Sequence, residues 1–292
     1  MNYTVTHKTV YTYNKPVSLC HNIARLLPRS TDKQTCTHSS VVIDPVPDVL
    51  DEYVDFFGNK LLYFAIQREH KKLVVTVTSD IDKTHTGALE INLYSHTPWE
   101  QVQQQYSEPG KDYLDIRQYI PETAFTTSEP AIVAYARESF KPGISLFDAA
   151  SNLMQRIYTD FEFKPGFTTI ATPLSEVMKA RKGVCQDFAH LAIACVRAMG
   201  LPARYVSGYI ETLPPKGTKK LVGVDASHAW FSVYIPNMGW VDFDPTNNQL
   251  PANQHITVGW GRDYADVAPL KGIIVSSGRH QLSVSVDVRR NS

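Results

Sequence analysis

Three separated segments of the chain carry side chains that could together perform nucleophilic acyl transfer. They hold a thiol in Gly183-Val-Cys-Gln-Asp, an imidazole in Ser227-His-Ala-Trp and a carboxylate in Phe243-Asp-Pro-Thr. A thiol becomes a strong nucleophile when a base removes its proton, and the base needs a third group that fixes its tautomer and direction. We therefore predict Cys185, His228 and Asp244 as the nucleophile, base and orienting carboxylate of a cysteine-dependent enzyme.

Cys185 stands at the start of a predicted helix that ends at Gly200-Leu-Pro. At a helix start, unpaired backbone amides and the positive end of the dipole favour a thiolate. Apolar side chains recur at spacings of three and four and should face the core: Cys185, Phe188, Ala192, Cys195 and Met199. Cys195 lies deeper in this stripe, so we expect a reactive Cys185 and an inert Cys195.

Other polar residues near these motifs are assigned structural roles. His190 is rotated by roughly 140° from Cys185, at about 100° per residue, and so faces away from the thiol. Asp187 lies in the first turn of the helix, where a carboxylate stabilises the helix start. His7, His255 and His280 show no partner pattern.

The strand that begins at His228 should form a hairpin with the strand that contains Trp240. Alternation places His228 and Trp230 on one face and an apolar set on the other, which we expect to face the core. A three-residue loop, Ile235-Pro-Asn, would pair His228 with Asp244 on one common face. A four-residue loop would place Asp244 on the opposite face unless a bulge intervenes. Trp230 is interpreted as either a packing residue or a wall of an acyl channel.

No metal or other cofactor is predicted. Cys185, His190 and Cys195 point in three directions around one helix, and neither paired-cysteine nor His-Glu-x-x-His spacing occurs. A glycine-rich phosphate loop is also absent from the sequence. The 29 basic residues balance the 29 acidic ones, so the charge gives no indication of nucleic-acid binding.

The composition is that of a soluble protein with two ordinary domains, since 292 residues exceed what one core usually organises. The first residues lack the features of a secretory signal, and no apolar run is long enough to span a bilayer. Four cysteines are too few for a disulfide scaffold, although a Cys20–Cys36 disulfide is an alternative to free thiols. We expect a cytoplasmic protein without membrane partners.

The fold class predicted from these patterns is α+β, in three segments. Residues 1–95 contain short β-rich runs, including a turn at Asp55-Phe-Phe-Gly-Asn, and should form an antiparallel β-sandwich. Residues 96–129 are rich in Gln, Glu and Pro and should form an extended connector. Residues 130–292 show helical patterns followed by antiparallel strands, which predicts an α+β core that contains the three catalytic candidates.

The motifs resemble those of the transglutaminase-like superfamily of papain-like cysteine enzymes, in its bacterial branch with an N-terminal β domain. The resemblance rests on Phe163-Lys-Pro-Gly-Phe-Thr, Gly183-Val-Cys-Gln-Asp, Arg204-Tyr-Val-Ser-Gly-Tyr, Ser227-His-Ala-Trp and Phe243-Asp-Pro-Thr, with His7-Lys-Thr-Val-Tyr and Asp55-Phe-Phe-Gly-Asn in the first half. It implies a papain-like core and assigns the nucleophile to Cys185, the base to His228 and the carboxylate to Asp244.

The resemblance leaves three functions open. The first is hydrolysis of an amide in a peptide or protein substrate by a peptidase or amidase, through a thioester at Cys185. The second is transfer of a glutamine acyl group to an amine, although no acidic cluster resembles the calcium sites of animal cross-linking enzymes. The third is a peptide-binding module that has lost catalysis. The intact set of three residues favours an enzyme, and we expect hydrolysis.

Overall fold

The first domain consists of two antiparallel four-stranded sheets. The computed structural model describes residues 1–84, 96–108, 113–212 and 226–291. Six strands lie in the first 84 residues: β1 Asn2–Val17, β2 Leu19–Ala24, β3 Gln34–Asp44, β4 Val49–Val54, β5 Lys60–Ile66 and β6 His70–Lys83. One sheet contains β1, β3 and β6, and the other contains β2, β4 and β5. Tyr13, Phe64 and Leu73 are among the buried residues between them, so the predicted β-sandwich is confirmed.

The predicted turn after Asp55 joins β4 to β5, which pair antiparallel with Val54 opposite Lys60. Asp55 Oδ1 accepts hydrogen bonds from the main-chain N–H groups of Phe57 and Asn59, both at 2.9 Å. A side-chain carboxylate that bonds the backbone two residues on is the usual mechanism by which aspartate fixes a turn.

The last two strands of the chain complete the sheets of the first domain. β13 Leu270–Val275 pairs with β2, and β14 His280–Asn291 pairs with β1 along twelve residue pairs from Asn2 to Tyr13. The expectation that residues 130–292 form one core therefore differs from the structure, in which residues 270–291 belong to the first domain. The alternation typical of a strand is a local pattern, and it carries no information about a partner almost the whole chain away.

The connector contains helices instead of being extended throughout. α1 Trp99–Ser107 and α2 Leu114–Arg117 lie within residues 96–129. Val102 and Tyr106, four residues apart on one face of α1, are buried in the core of the second domain. The many glutamines of this segment occupy the other faces of α1, and they concealed its short apolar stripe.

The second domain packs helices against one face of a four-stranded sheet. Its remaining elements are α3 Pro130–Ser139, α4 Leu146–Asp160, β7 Glu162–Phe163, α5 Leu174–Ala180, β8 Lys182–Gly183, α6 Cys185–Ala198, β9 Ala203–Ile210, β10 Ala226–Ile235, β11 Gly239–Phe243, β12 His255–Gly261 and α7 Tyr264–Val267. The sheet order is β11-β10-β9-β12. Ala229, Phe231 and Val233 of β10 face the helices as predicted. Among the described residues, none of the helices has the length and apolarity needed to cross a membrane.

The other face of this sheet is covered by the first domain. Arg29 of the first domain stacks on the ring of Trp260, 3.3 Å from its centroid. Trp260 is in register with Val206 and Trp230 across the sheet. As a result Trp230 and Ser232, on the face of β10 opposite the helices, are also fully buried. Both faces of β10 are therefore in the interior, whereas the sequence pattern predicted that only its apolar face packs against the core.

Side-chain amides of the first domain bond the outer edge of β12. Gln34 exchanges two hydrogen bonds with the main chain of Thr257, at 2.7 and 3.0 Å, and Asn59 does the same with Trp260, at 2.8 and 3.0 Å. An edge strand otherwise presents unpaired N–H and C=O groups. The two amides act in place of a fifth strand and fix β12 to the first domain.

We predict that Gln34→Leu lowers the free energy of unfolding by about 2–4 kcal/mol, because it leaves the main-chain N–H and C=O of Thr257 without the partners that Gln34 supplies. Gln34 is fully buried, whereas Gln67 is exposed, so Gln67→Leu is the matched control and should change stability by under about 0.5 kcal/mol. Urea denaturation followed by circular dichroism measures both. Equal stability of the two variants would contradict a structural role for the Gln34 amide.

Candidate active site

Cys185 is the first residue of α6, where its backbone N–H has no carbonyl partner within the helix. Asp187 Oδ2 accepts a hydrogen bond from the main-chain N–H of Val184 at 2.8 Å, which confirms its predicted role at the helix start. A Cβ atom at Gly183 would lie 2.9 Å from Asp187 Oδ2. Glycine therefore allows the chain to pass closely beside the first turn before it reaches the thiol.

A second segment is fixed beside the nucleophile. β7 pairs with β8, with Phe163 opposite Gly183, and Lys164 N donates to Gly183 O at 2.8 Å. Thr168 Oγ1 donates to Asp187 Oδ2 at 2.6 Å. Burial raises the pKa of Asp187, although the hydrogen bonds from Thr168 and Val184 oppose the rise. This carboxylate therefore ties the 163–168 segment to the start of α6.

The β10–β11 hairpin aligns the imidazole and carboxylate in a register that differs by two residues from the prediction. The three-residue loop is Pro236-Asn-Met, Ile235 pairs with Gly239, and Ser232 pairs with Asp242. The predicted pairing of His228 with Asp244 is wrong. A shift of two residues keeps every side chain on its face, so Asp244, just beyond β11, still reaches His228.

Asp244 is the most highly connected side chain of the site and is fully buried. Its Oδ2 accepts hydrogen bonds from His228 Nε2 at 2.8 Å, His255 Nε2 at 2.9 Å and Asn247 Nδ2 at 2.7 Å. Its Oδ1 accepts from the main-chain N–H groups of Thr246 and Asn247. Burial acts to raise the pKa of Asp244, but the hydrogen bonds from His228 and His255 hold it well below its usual range. The group is thus a carboxylate at neutral pH.

His228 connects this carboxylate to the thiol. Its Nε2 is bonded to Asp244, and Cys185 lies close enough to the ring to contribute to its pKa. Burial opposes the charged form of His228, but Asp244 and Cys185 outweigh it and raise the pKa of His228 to about 10. The structure therefore brings together all three side chains that the sequence singled out.

His255 also contacts the carboxylate, although no pattern in the sequence indicated a partner for it. It begins β12, beyond β9, and its ring lies 5.8 Å from that of His228. Burial lowers the pKa of His255, partly offset by Asp244, so a neutral ring donates its Nε2–H to the carboxylate. The alternation in His255-Ile-Thr-Val could have indicated this strand, but Gly259 and Gly261 weaken the pattern.

Gly208 provides the space over β9 between the two histidine strands. It pairs with His228 on one side and Thr257 on the other. A Cβ atom there would lie 2.2 Å from Ile256 O and 2.5 Å from Trp230 Cη2. Only a residue without a side chain permits this approach, which explains the glycine within Arg204-Tyr-Val-Ser-Gly-Tyr.

His228, Asp244 and His255 offer three ligand atoms within 4.8 Å of one another, a set that could hold a metal ion. Asp244 Oδ2 is, however, already surrounded by three N–H donors within 2.9 Å. A cation would have to displace these protons from the same oxygen. The geometry is that of a carboxylate held by hydrogen bonds, and we interpret it so.

The remaining candidates have structural surroundings. His190 is buried, stacks on Phe125 and accepts a hydrogen bond from Tyr264 N at 3.1 Å, and burial lowers its pKa to about 3. Burial raises the pKa of Cys195 to about 12. Trp230 is fully buried with its ring edge against His255 at 5.2 Å, so it is a packing residue. All four cysteines are free, and the Cys20–Cys36 disulfide is not formed.

We predict that the rate of Cys185 alkylation by iodoacetamide changes by less than about twofold between pH 6 and pH 8. The pKa of His228 is raised to about 10, so its ring is cationic in this range, and a cation beside a thiol favours the more reactive thiolate. The rate for N-acetylcysteine, the reference thiol, should rise about tenfold per pH unit below its pKa of roughly 8.5. Mass spectrometry of the labelled peptide gives the rate at Cys185. A Cys185 rate that follows N-acetylcysteine would contradict the ion pair.

Comparison with known proteins gives the same architecture. Residues 3–82 match the Bacterial transglutaminase-like N-terminal region, and residues 133–245 match the Transglutaminase-like superfamily. An uncharacterized protein of Mycobacterium tuberculosis is 41% identical over 295 residues, which cover 98% of this chain and 92% of that protein. A protein-glutamine gamma-glutamyltransferase of Pseudomonas aeruginosa is 39% identical over 72 residues, or 24% of this chain and 11% of that protein.

Among solved structures, a protein from Cytophaga hutchinsonii described as a candidate cysteine protease has a TM-score of 0.76 at 22% identity, covering 99% of this chain and 90% of that chain. This likeness extends the shared fold over both domains. The sequence matches and the fold lead to one conclusion: the chain belongs to the transglutaminase-like superfamily and carries its bacterial N-terminal region.

Proposed function

We propose that the protein is a cysteine-dependent amide hydrolase that acts on a peptide or protein substrate. The observation that carries the proposal is the hydrogen bond between Asp244 and His228 beside a half-buried Cys185 at a helix start. A nucleophile, a base and a group that orients the base are the three parts that thiol acyl transfer requires.

In the first step, His228 holds the thiol proton and the Cys185 sulfur attacks the substrate's amide carbonyl carbon. The bond between Sγ and carbon forms while the carbonyl electrons move to oxygen. The N–H of Cys185 at the start of α6 is placed to donate to this developing oxyanion, a contribution typically worth a factor of about 100 or more. The carbon–nitrogen bond then breaks as His228 delivers its proton to the leaving amine, and a thioester remains.

In the second step, water resolves the thioester. The neutral His228 takes a proton from water, the oxygen attacks the thioester carbon, and the carbon–sulfur bond breaks to release a carboxylic acid. The thiolate and the imidazolium are restored. Asp244 remains ionised throughout and stabilises the imidazolium each time it forms.

The surface beside the thiol suits an extended chain with apolar side chains. Phe163, Phe167 and Ile170 are about half exposed on the segment that pairs with the strand leading into Cys185. The description of the Cytophaga hutchinsonii protein as a candidate protease supports hydrolysis. The transferase name of the Pseudomonas aeruginosa relative supports a second candidate, in which an amine replaces water.

We predict that Cys185→Ala abolishes amide hydrolysis and that Asp244→Asn lowers kcat by about a thousandfold or more, because the imidazole loses its orientation and charge partner. The assay incubates a mixture of denatured protein digests with the enzyme and detects new termini and deamidated glutamines by mass spectrometry. Cys36 is another half-buried free thiol, so Cys36→Ala is the matched control and should leave hydrolysis unchanged.

The same incubation with a low concentration of labelled amine separates the rival functions. Amine adducts that outnumber hydrolysed products would show that transfer is the reaction. Peptides that are retained by both wild type and Cys185→Ala, without any product, would show a binding module. Products that persist in Cys185→Ala would remove Cys185 from the mechanism.

A further inference from the structure

His255 contacts the catalytic candidates from outside the matched superfamily segment. That segment ends at residue 245, whereas His255 lies ten residues further on and is 97% buried. Its Nε2 donates to the same Asp244 oxygen that receives the hydrogen bond from His228. Two imidazoles therefore share one carboxylate oxygen, and one of them, His228, lies beside the thiol.

We propose that His255 is a positioning residue that holds Asp244 ionised and aimed at His228. The proposal rests on the hydrolase function above and assigns a second histidine to it. Oδ2 of a rotating carboxylate could turn toward other donors, but the His255 and Asn247 hydrogen bonds fix it in the plane that His228 requires. Outer partners of this kind typically contribute a factor of about 10–100 to activity.

The first domain holds His255 in place. Lys83, half-buried at the end of β6, donates to the His255 main-chain oxygen at 2.7 Å, and Gln34 bonds Thr257 two residues further along β12. The edge of the Trp230 ring packs against the imidazole at 5.2 Å. The N-terminal domain therefore reaches the candidate triad through β12, which gives that domain a part in the chemistry.

Charged groups on every side of His255 favour a neutral donor with a fixed direction. Burial and the nearby His228 disfavour a proton on the ring, Asp244 and Asp242 favour one, and the balance lowers the pKa of His255. Lys83 faces the main-chain oxygen and not the ring. A neutral imidazole bonded through Nε2–H donates one proton to the carboxylate without competing for the role of base.

The test uses thiolate formation at Cys185, which requires no known substrate. Iodoacetamide forms a carbon–sulfur bond and releases iodide, so its rate reports the thiolate. Glutamine places an amide nitrogen near the position of histidine Nε2, whereas the shorter asparagine does not reach it. His255→Asn should slow labelling of Cys185 at pH 6.5 by about tenfold or more and move the midpoint of its pH profile upward, because a loosened Asp244 stabilises the imidazolium less.

His255→Gln should stay within about threefold of wild type, since the hydrogen bond to the carboxylate is retained. The exposed His38 gives the matched control, and His38→Asn should match wild type. Cys195 is fully buried, so its labelling reports an opened core. If iodoacetamide also labels Cys195 in His255→Asn, the core of that variant has opened, and the His255→Gln variant then provides the test. An unshifted midpoint of its Cys185 pH profile supports the proposal, and a raised midpoint overturns it.

Other outcomes overturn the proposal in distinguishable ways. Wild-type rates in His255→Asn with Cys195 protected would mean that His255 does not act on Asp244. Slower labelling of wild type after dialysis against a chelator, with recovery on adding zinc, would mean that His228, Asp244 and His255 hold a metal. If wild-type Cys185 reacts no faster than N-acetylcysteine at pH 6.5, the proposed hydrolase fails first, and the role of His255 fails with it.

Discussion

The structure depends on keeping one carboxylate charged where water does not reach it. A buried ion is costly unless hydrogen bonds replace its hydration, and Asp244 obtains five of them. These donors come from β10, from the turn after β11 and from β12. Both strands and the turn must keep their positions for the carboxylate to remain ionised, so the order of the site depends on the order of the sheet.

This requirement explains why the site lies between two domains. The face of the sheet that carries His228 also carries Trp260 and Asp242, which contact Arg29 and Lys33 of the first domain, and the opposite face packs against α6, which carries Cys185. Covering both faces excludes water from the carboxylate while leaving the thiol half exposed. Hydrogen bonds in such a low-dielectric setting are stronger than at a surface, and although burial acts to lower the pKa of His228, its bonded and charged neighbours raise it.

The sequence predicted the parts of this arrangement that are local. Cys185 at a helix start and the alternation around His228 depend on near neighbours, and a register error of two residues left Asp244 on the correct face because side chains alternate with a period of two. What escaped prediction is long-range. β13 and β14 return to strands more than two hundred residues away, and His255 reaches Asp244 from the far side of β9. No local pattern encodes such pairings.

The return of β13 and β14 to the first sheets makes the α+β domain an insertion within the β-sandwich, entered after Lys83 and left before Leu270. A fragment that contains only the inserted domain would lack Gln34, Asn59 and Lys83, so the outer edge of β12 would be exposed. Exposed sheet edges pair with strands of other molecules. Recombination that transplants only the thiol-bearing part would therefore yield an aggregating product. The two parts are expected to be inherited as one evolutionary unit.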